Sequence, residues 1–183
     1  MLFRSLVLSS DYDASQSKVL AWNPTKYLFE DNMITYDDTD VGVLCLDNKN
    51  PSSWVPILDG RLGGLVYNLA GPQFEYSFLA HGLNPGITYS LIYYADPWPG
   101  SNPGALITSG MSDGTGGLAL SGSVELNMNL PDPADANYSS YRAKIWLVPS
   151  NRYNATPRSI TGWYPAEFLF ELNGITYDDT DIP

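Results

Sequence analysis

At 183 residues, with 20 acidic and 9 basic side chains and a formal charge of −11, the chain has the size of one domain, or of one domain and part of another. That charge excludes nucleic acid, whose phosphates need clustered Lys and Arg, and disfavours docking on an anionic membrane. A hydrophobic share of 44%, beside 16 glycines and 14 prolines, provides for a core but excludes a helical bundle. The single cysteine, Cys45, and single histidine, His81, leave no intrachain disulfide and no Cys- or His-rich metal site. No apolar run reaches membrane-spanning length, so no membrane insertion is expected. The start, Met1 to Leu8, is too short an apolar stretch for a signal peptide, so a secreted form would be a mature or excised segment.

In chain order, the first feature is half of a duplication. Trp22-Asn23-Pro24-Thr25-Lys26-Tyr27-Leu28-Phe29-Glu30 and Ile34-Thr35-Tyr36-Asp37-Asp38-Thr39-Asp40 recur, without a gap, 141 residues later. The second copy reads Trp163-Tyr164-Pro165-Ala166-Glu167-Phe168-Leu169-Phe170-Glu171 and Ile175-Thr176-Tyr177-Asp178-Asp179-Thr180-Asp181. From Leu6 to Val41, 18 of 36 positions are identical to those from Leu147 to Ile182. Residues 1–41 thus duplicate 142–182, either as the tail of a preceding tandem unit or as a related piece of one domain's sheets; this tail-like segment is expected to pack on the main unit, 42–183, or on a neighbour.

The middle reads as consecutive strands. Phe74, Tyr76 and Phe78 share one face of an alternating run, as do Ile87, Tyr89, Leu91 and Tyr93, and Leu118, Leu120, Val124 and Leu126. Ala143 to Val148 and the two Leu-Phe-Glu blocks complete the set. Breakers separate them at Asn84-Pro85-Gly86, Pro97-Trp98-Pro99-Gly100, Asp113-Gly114 and Pro131-Asp132-Pro133. This spacing predicts an all-β, antiparallel sandwich with duplicated terminal segments.

Two resemblances bear on that expectation. Gly82-Leu83-Asn84-Pro85-Gly86-Ile87-Thr88-Tyr89-Ser90-Leu91 resembles the Leu-x-Pro-Gly-x-x-Tyr segment of fibronectin type III and related immunoglobulin-like sandwiches. The resemblance implies that the Tyr89 hydroxyl caps the corner between sheets. Tyr89 to Pro97, Lys144 to Ser150 and the Ile-Thr-Tyr-Asp-Asp-Thr-Asp ending resemble tandem-repeat β-sandwich domains in cell-surface proteins of methanogenic archaea. That resemblance implies an extracellular structural or adhesive module without assigned catalysis.

Several motifs invite chemistry. Gly110-Met111-Ser112-Asp113-Gly114 matches a nucleophile elbow in letters only: a strand follows, and the one histidine precedes the serine. A hairpin loop is expected there. The acidic clusters Asp37, Asp38 and Asp40, and Asp178, Asp179 and Asp181, supply hard oxygen donors that suit Ca²⁺, or alternatively form solvated acidic turns. Asp11-Tyr12-Asp13 and Asp132-Pro133-Ala134-Asp135 read as exposed loops. Trp98, flanked by two prolines, is the candidate contact for a sugar face or a protein partner. Trp22 and Trp163, being repeated, are expected to pack. Asn137 and Asn154 head glycosylation sequons. Cys45 is expected to be a small buried residue.

Together these point to a non-enzymatic extracellular module of a cell-surface layer, sheath or filament. Its partners are neighbouring copies or tandem units of itself, joined through the terminal segments. Deleting residues 1–41 would then expose a strand edge and cause aggregation. The alternative is a calcium-supported carbohydrate-binding module.

Overall fold

In the computed structural model the chain divides into two compact units, Met1–Asp38 and Thr39–Pro183. The structure describes residues 40–96, 104–136 and 142–182, with 5–6, 10, 12–13, 15–16, 18–20 and 28–29 of the opening segment. Among the described residues the regular elements are strands and short 3-10 turns, and no helix is long and apolar enough to cross a membrane.

The first unit contains two small antiparallel pairs. β1 (Ser5–Leu6) pairs with β4 (Leu28–Phe29), and β2 (Tyr12–Asp13) with β3 (Lys18–Val19). The Asp13 carboxylate accepts the Ser15 and Gln16 N–H groups and the Ser15 hydroxyl. These bonds, led by the hydroxyl, hold its carboxyl below the usual range.

The second unit is built on one antiparallel eight-stranded sheet. Its members are β5 (Val41–Asp47), β6 (Leu62–Asn68), β8 (Phe74–His81), β9 (Thr88–Tyr94), β10 (Ala105–Met111), β11 (Leu118–Val124), β12 (Lys144–Pro149) and β15 (Leu169–Glu171). Their order is β10-β9-β12-β15-β5-β6-β8-β11. β15 joins two four-stranded halves, with Phe170 opposite Trp146 on one side and Asp47 on the other. The outermost strands, β10 and β11, are consecutive in the chain and do not pair with each other, yet the sheet curls until they meet. A Cβ on Gly110 would lie 2.4 Å from Leu120 Cδ2, so a larger residue there would have to displace the Leu120 side chain. The result is nearly a barrel. The two halves that would make a sandwich thus belong to one hydrogen-bonded sheet.

Alternation accounts for the core. Leu44, Leu46, Leu65, Phe74, Phe78, Leu91, Tyr93, Ile145 and Leu147 fill the interior, and each such side chain contributes about 1.5–3 kcal/mol by leaving water. Cys45, expected inside, is exposed. Its neighbours Leu44 and Leu46 take the inward positions, which turns Cys45 to the outer face.

β9 and β12 are buried on both faces. Their outward residues Ile92, Tyr94, Trp146 and Val148 form a second core with Tyr153, Ile160, Phe168 and Phe170. The cover is the segment between β12 and β15. It comprises a 3-10 turn at Ser150–Arg152, the pair β13 (Tyr153–Asn154) with β14 (Ser159–Ile160), and a second 3-10 turn at Pro165–Glu167. Arg152 clamps the second turn by two bonds to the Glu167 carboxylate, at 3.0 and 3.1 Å.

The duplication is structural as well as textual. Ser5 pairs with Phe29 and Leu6 with Leu28, as Trp146 pairs with Phe170 and Leu147 with Leu169. Likewise, Tyr12 pairs with Val19 and Asp13 with Lys18, as Tyr153 pairs with Ile160 and Asn154 with Ser159. Every pair is displaced by 141 residues. The turn between β13 and β14 repeats too, because Asn154 accepts the Thr156 N–H as Asp13 accepts that of Ser15.

Candidate functional site

The repeated Ile-Thr-Tyr-Asp-Asp-Thr-Asp motif works as a clasp in the second unit. Ile175 exchanges main-chain bonds with Ala143, and Tyr177 with Leu130. β16 (Asp178–Asp179) then runs parallel to β7 (Ala70–Gly71). Ile175, Tyr177 and Asp179 are buried, while Thr176, Asp178 and Thr180 are exposed, the period of an extended strand with one face inward. The Tyr177 hydroxyl donates to the Gly71 carbonyl at 2.6 Å, and burial, with Asp179 close by, pushes it up to about 12.

Both ends of the unit meet at this clasp. The Asp40 carbonyl accepts the Leu69 N–H, and the Asp178 N–H donates to the Leu69 carbonyl, each at 2.9 Å. The two acidic motifs therefore bracket one residue, with Asp40 at the start of the unit and Asp178 at its end.

Of the second acidic cluster, Asp179 and Asp181 come together and Asp178 stays outside. Their companion is Glu125, at the end of β11: one carboxylate oxygen of each of the three lies within 4.8 Å of the others. Asp179 is 3% exposed. Its Oδ2 accepts the Met128 N–H at 3.1 Å, and its own N–H donates to Asn129 Oδ1 at 2.7 Å. The carboxyl of Asp181 is held above its usual range, first by its contact with Asp179, then by burial and by Glu125. Glu125 is hard to pick out in the sequence because it lies 54 positions from Asp179; its one signal is a carboxylate directly after β11. Asp40 is exposed, and Asp37 and Asp38 lie outside the described residues.

A second feature is an aromatic cavity of about 330 Å³ walled by Trp54, Trp163, Trp146 and Tyr94, with Asp96 and Lys144 at its polar side. Tyr94 stacks on Trp146 at 3.8 Å and 7°, and Trp163 lies 5.9 Å from Trp54 and 6.0 Å from Trp146. Lys144 forms an ion pair with Asp96 and sits 5.6 Å from the Tyr94 ring. Trp163 packs on Phe168 and Phe170 while staying 41% exposed, and Trp54 is 47% exposed. The rim thus presents flat aromatic surface to solvent. The sequence does not repeat all of its walls: Ser5 stands where Trp146 does and Phe3 where Lys144 does.

Tyr89 is buried, and its hydroxyl accepts the Asn84 N–H at 3.2 Å, a bond from the start of β9 back to the preceding corner. Asn154 is exposed. Trp22, Trp98 and Asn137 lie outside the described residues. Ser112 is buried, donating to the Asn84 carbonyl at 2.6 Å and accepting the Ile87 N–H, so its hydroxyl ties the β10–β11 loop to the corner before β9. Asp135, expected in an exposed loop, is instead buried, accepting the Tyr93 hydroxyl at 2.6 Å and the Asp96 N–H. A carboxylate so bonded can leave water. No protein-family model, curated protein sequence or solved structure matches the chain.

Proposed function

We propose that the chain is a non-enzymatic structural module of an extracellular surface assembly, made of β units that follow one another at a 141-residue interval. Each unit is an immunoglobulin-like sandwich whose halves, β10-β9-β12-β15 and β5-β6-β8-β11, face each other across one core. The observation that carries this reading is the identical register of the two copies. In the second unit, β12 lies between β9 and β15, and β15 between β12 and β5. In the first, β1 and β4 pair with each other, and among the described residues neither has a second neighbour. Residues 1–38 are thus the closing part of an equivalent unit, whose open edges fit strands of the β9 and β5 type from another repeat.

The test is complementation. A fragment of residues 39–141, which lacks its own closing part, is co-expressed with the intact chain or with a chain lacking residues 1–38. Co-purification with the intact chain alone is the expected result. Equal recovery with both, or with neither, overturns the reading.

A further inference from the structure

We propose that Glu125, Asp179 and Asp181 form a calcium site that fastens the closing clasp to the chain leaving β11. Asp179 holds a buried, half-satisfied carboxylate. One of its oxygens is satisfied by the Met128 N–H, but Oδ1 is buried and has no hydrogen-bond donor among the described residues. A carboxylate oxygen shut away from water needs a donor or a cation.

Around the Asp179 carboxylate stands more negative charge. One oxygen from each of three carboxylates lies within a span of 4.8 Å, and among the described residues no Lys or Arg forms an ion pair with any of them. Three ionised carboxylates at that spacing repel one another, and a divalent ion converts the repulsion into attraction.

The donor set selects the ion. It is all oxygen, which suits a hard cation and not zinc or copper. Calcium holds its ligands at about 2.3–2.6 Å, so donors across it stand up to about 5 Å apart, whereas magnesium draws them to about 4 Å. Glu125 and Asp181 are exposed, which leaves water to complete a flexible shell. The site uses residues of the second unit alone, so it stands or falls separately from assembly between units.

Calorimetric titration of the full chain with CaCl₂, paired with thermal melts in calcium or chelator, tests the proposal. The expected Kd is about 0.1–1 mM, as for sites with few buried carboxylates, with a melting temperature that rises on saturation. The double variant Glu125→Gln/Asp181→Asn, altered only at exposed positions, should bind at least about tenfold more weakly and lose the melting shift. Asp178→Asn, outside the cluster, should keep both. The proposal is overturned if about 10 mM calcium gives neither heat nor shift. It is also overturned if the double variant behaves as the wild type, or if NaCl of matched ionic strength reproduces the shift.

Discussion

Glu171 shows how a single position carries a pH dependence. Its Oε2 is buried without a hydrogen-bond partner, and burial pushes its carboxyl up to about 7, against the pull of Lys49. Between its ordinary value of 4.5 and about 7, the folded chain keeps a proton that the unfolded chain has lost. Stability from this group is therefore full below about pH 4.5 and falls as pH rises through 7. Glu171→Gln removes the ionisation, so it should stabilise by up to about 3 kcal/mol at pH 8 and by almost nothing at pH 4. Urea unfolding at the two pH values checks this; an equal effect at both would refute the assignment. The sequence marks Glu171 as half of a repeated Leu-Phe-Glu block, but its titration depends on which face of β15 is covered, and only the folded chain shows that.

At the scale of elements, alternation made the inward residues legible: Phe74 and Phe78 of β8, and Tyr89, Leu91 and Tyr93 of β9, line the core as their period of two requires. The second core was legible only in part. Leu91 to Tyr94 and Ile145 to Val148 are unbroken apolar runs, which is how strands covered on both faces read, but nothing in those runs says what covers them. What buries them is the segment after β12, whose 3-10 turns and two-residue strands are too short to leave a periodic signal. Trp146 is the hub of that layer, touching Tyr94, Phe168 and Phe170. Trp146→Ala should cost about 3–5 kcal/mol and erase much of the near-ultraviolet circular dichroism. A loss under about 1 kcal/mol would mean that the layer contributes little beyond the main core. The acidic site was half legible: alternation puts Asp179 and Asp181 on one side of a strand and Asp178 on the other, but nothing local announces Glu125.

For the whole molecule, the register match recasts the duplication. Among the described residues, the eight-stranded sheet draws its strands from residues 41–171. A cut after Asp38 keeps the bond between Asp40 and Leu69. The chain 39–183 should therefore stay soluble and melt within about 2 °C of the corresponding transition in the intact chain. This differs from the aggregation expected when the first 41 residues are read as covering a strand edge. Precipitation of 39–183, or a fall of more than about 8 °C, would instead support a covering role for the first residues.

The convergence of Asp40 and Asp178 on Leu69 has a mechanical consequence. In the tandem array proposed above, tension would reach the second unit through two neighbouring points, Asp40 and Asp178, and not through opposite poles. Pulling them apart loads the short β7–β16 ladder and the first bonds of β5 at their ends, so these bonds yield in succession, like a zipper, and do not share the force as strands in shear would. The strength of such an array under stretch would then be set at the clasp and not in the barrel. An ion held by Asp179 and Asp181 would sit at the point where peeling starts, making dissolved calcium a control on how far the array extends before it opens.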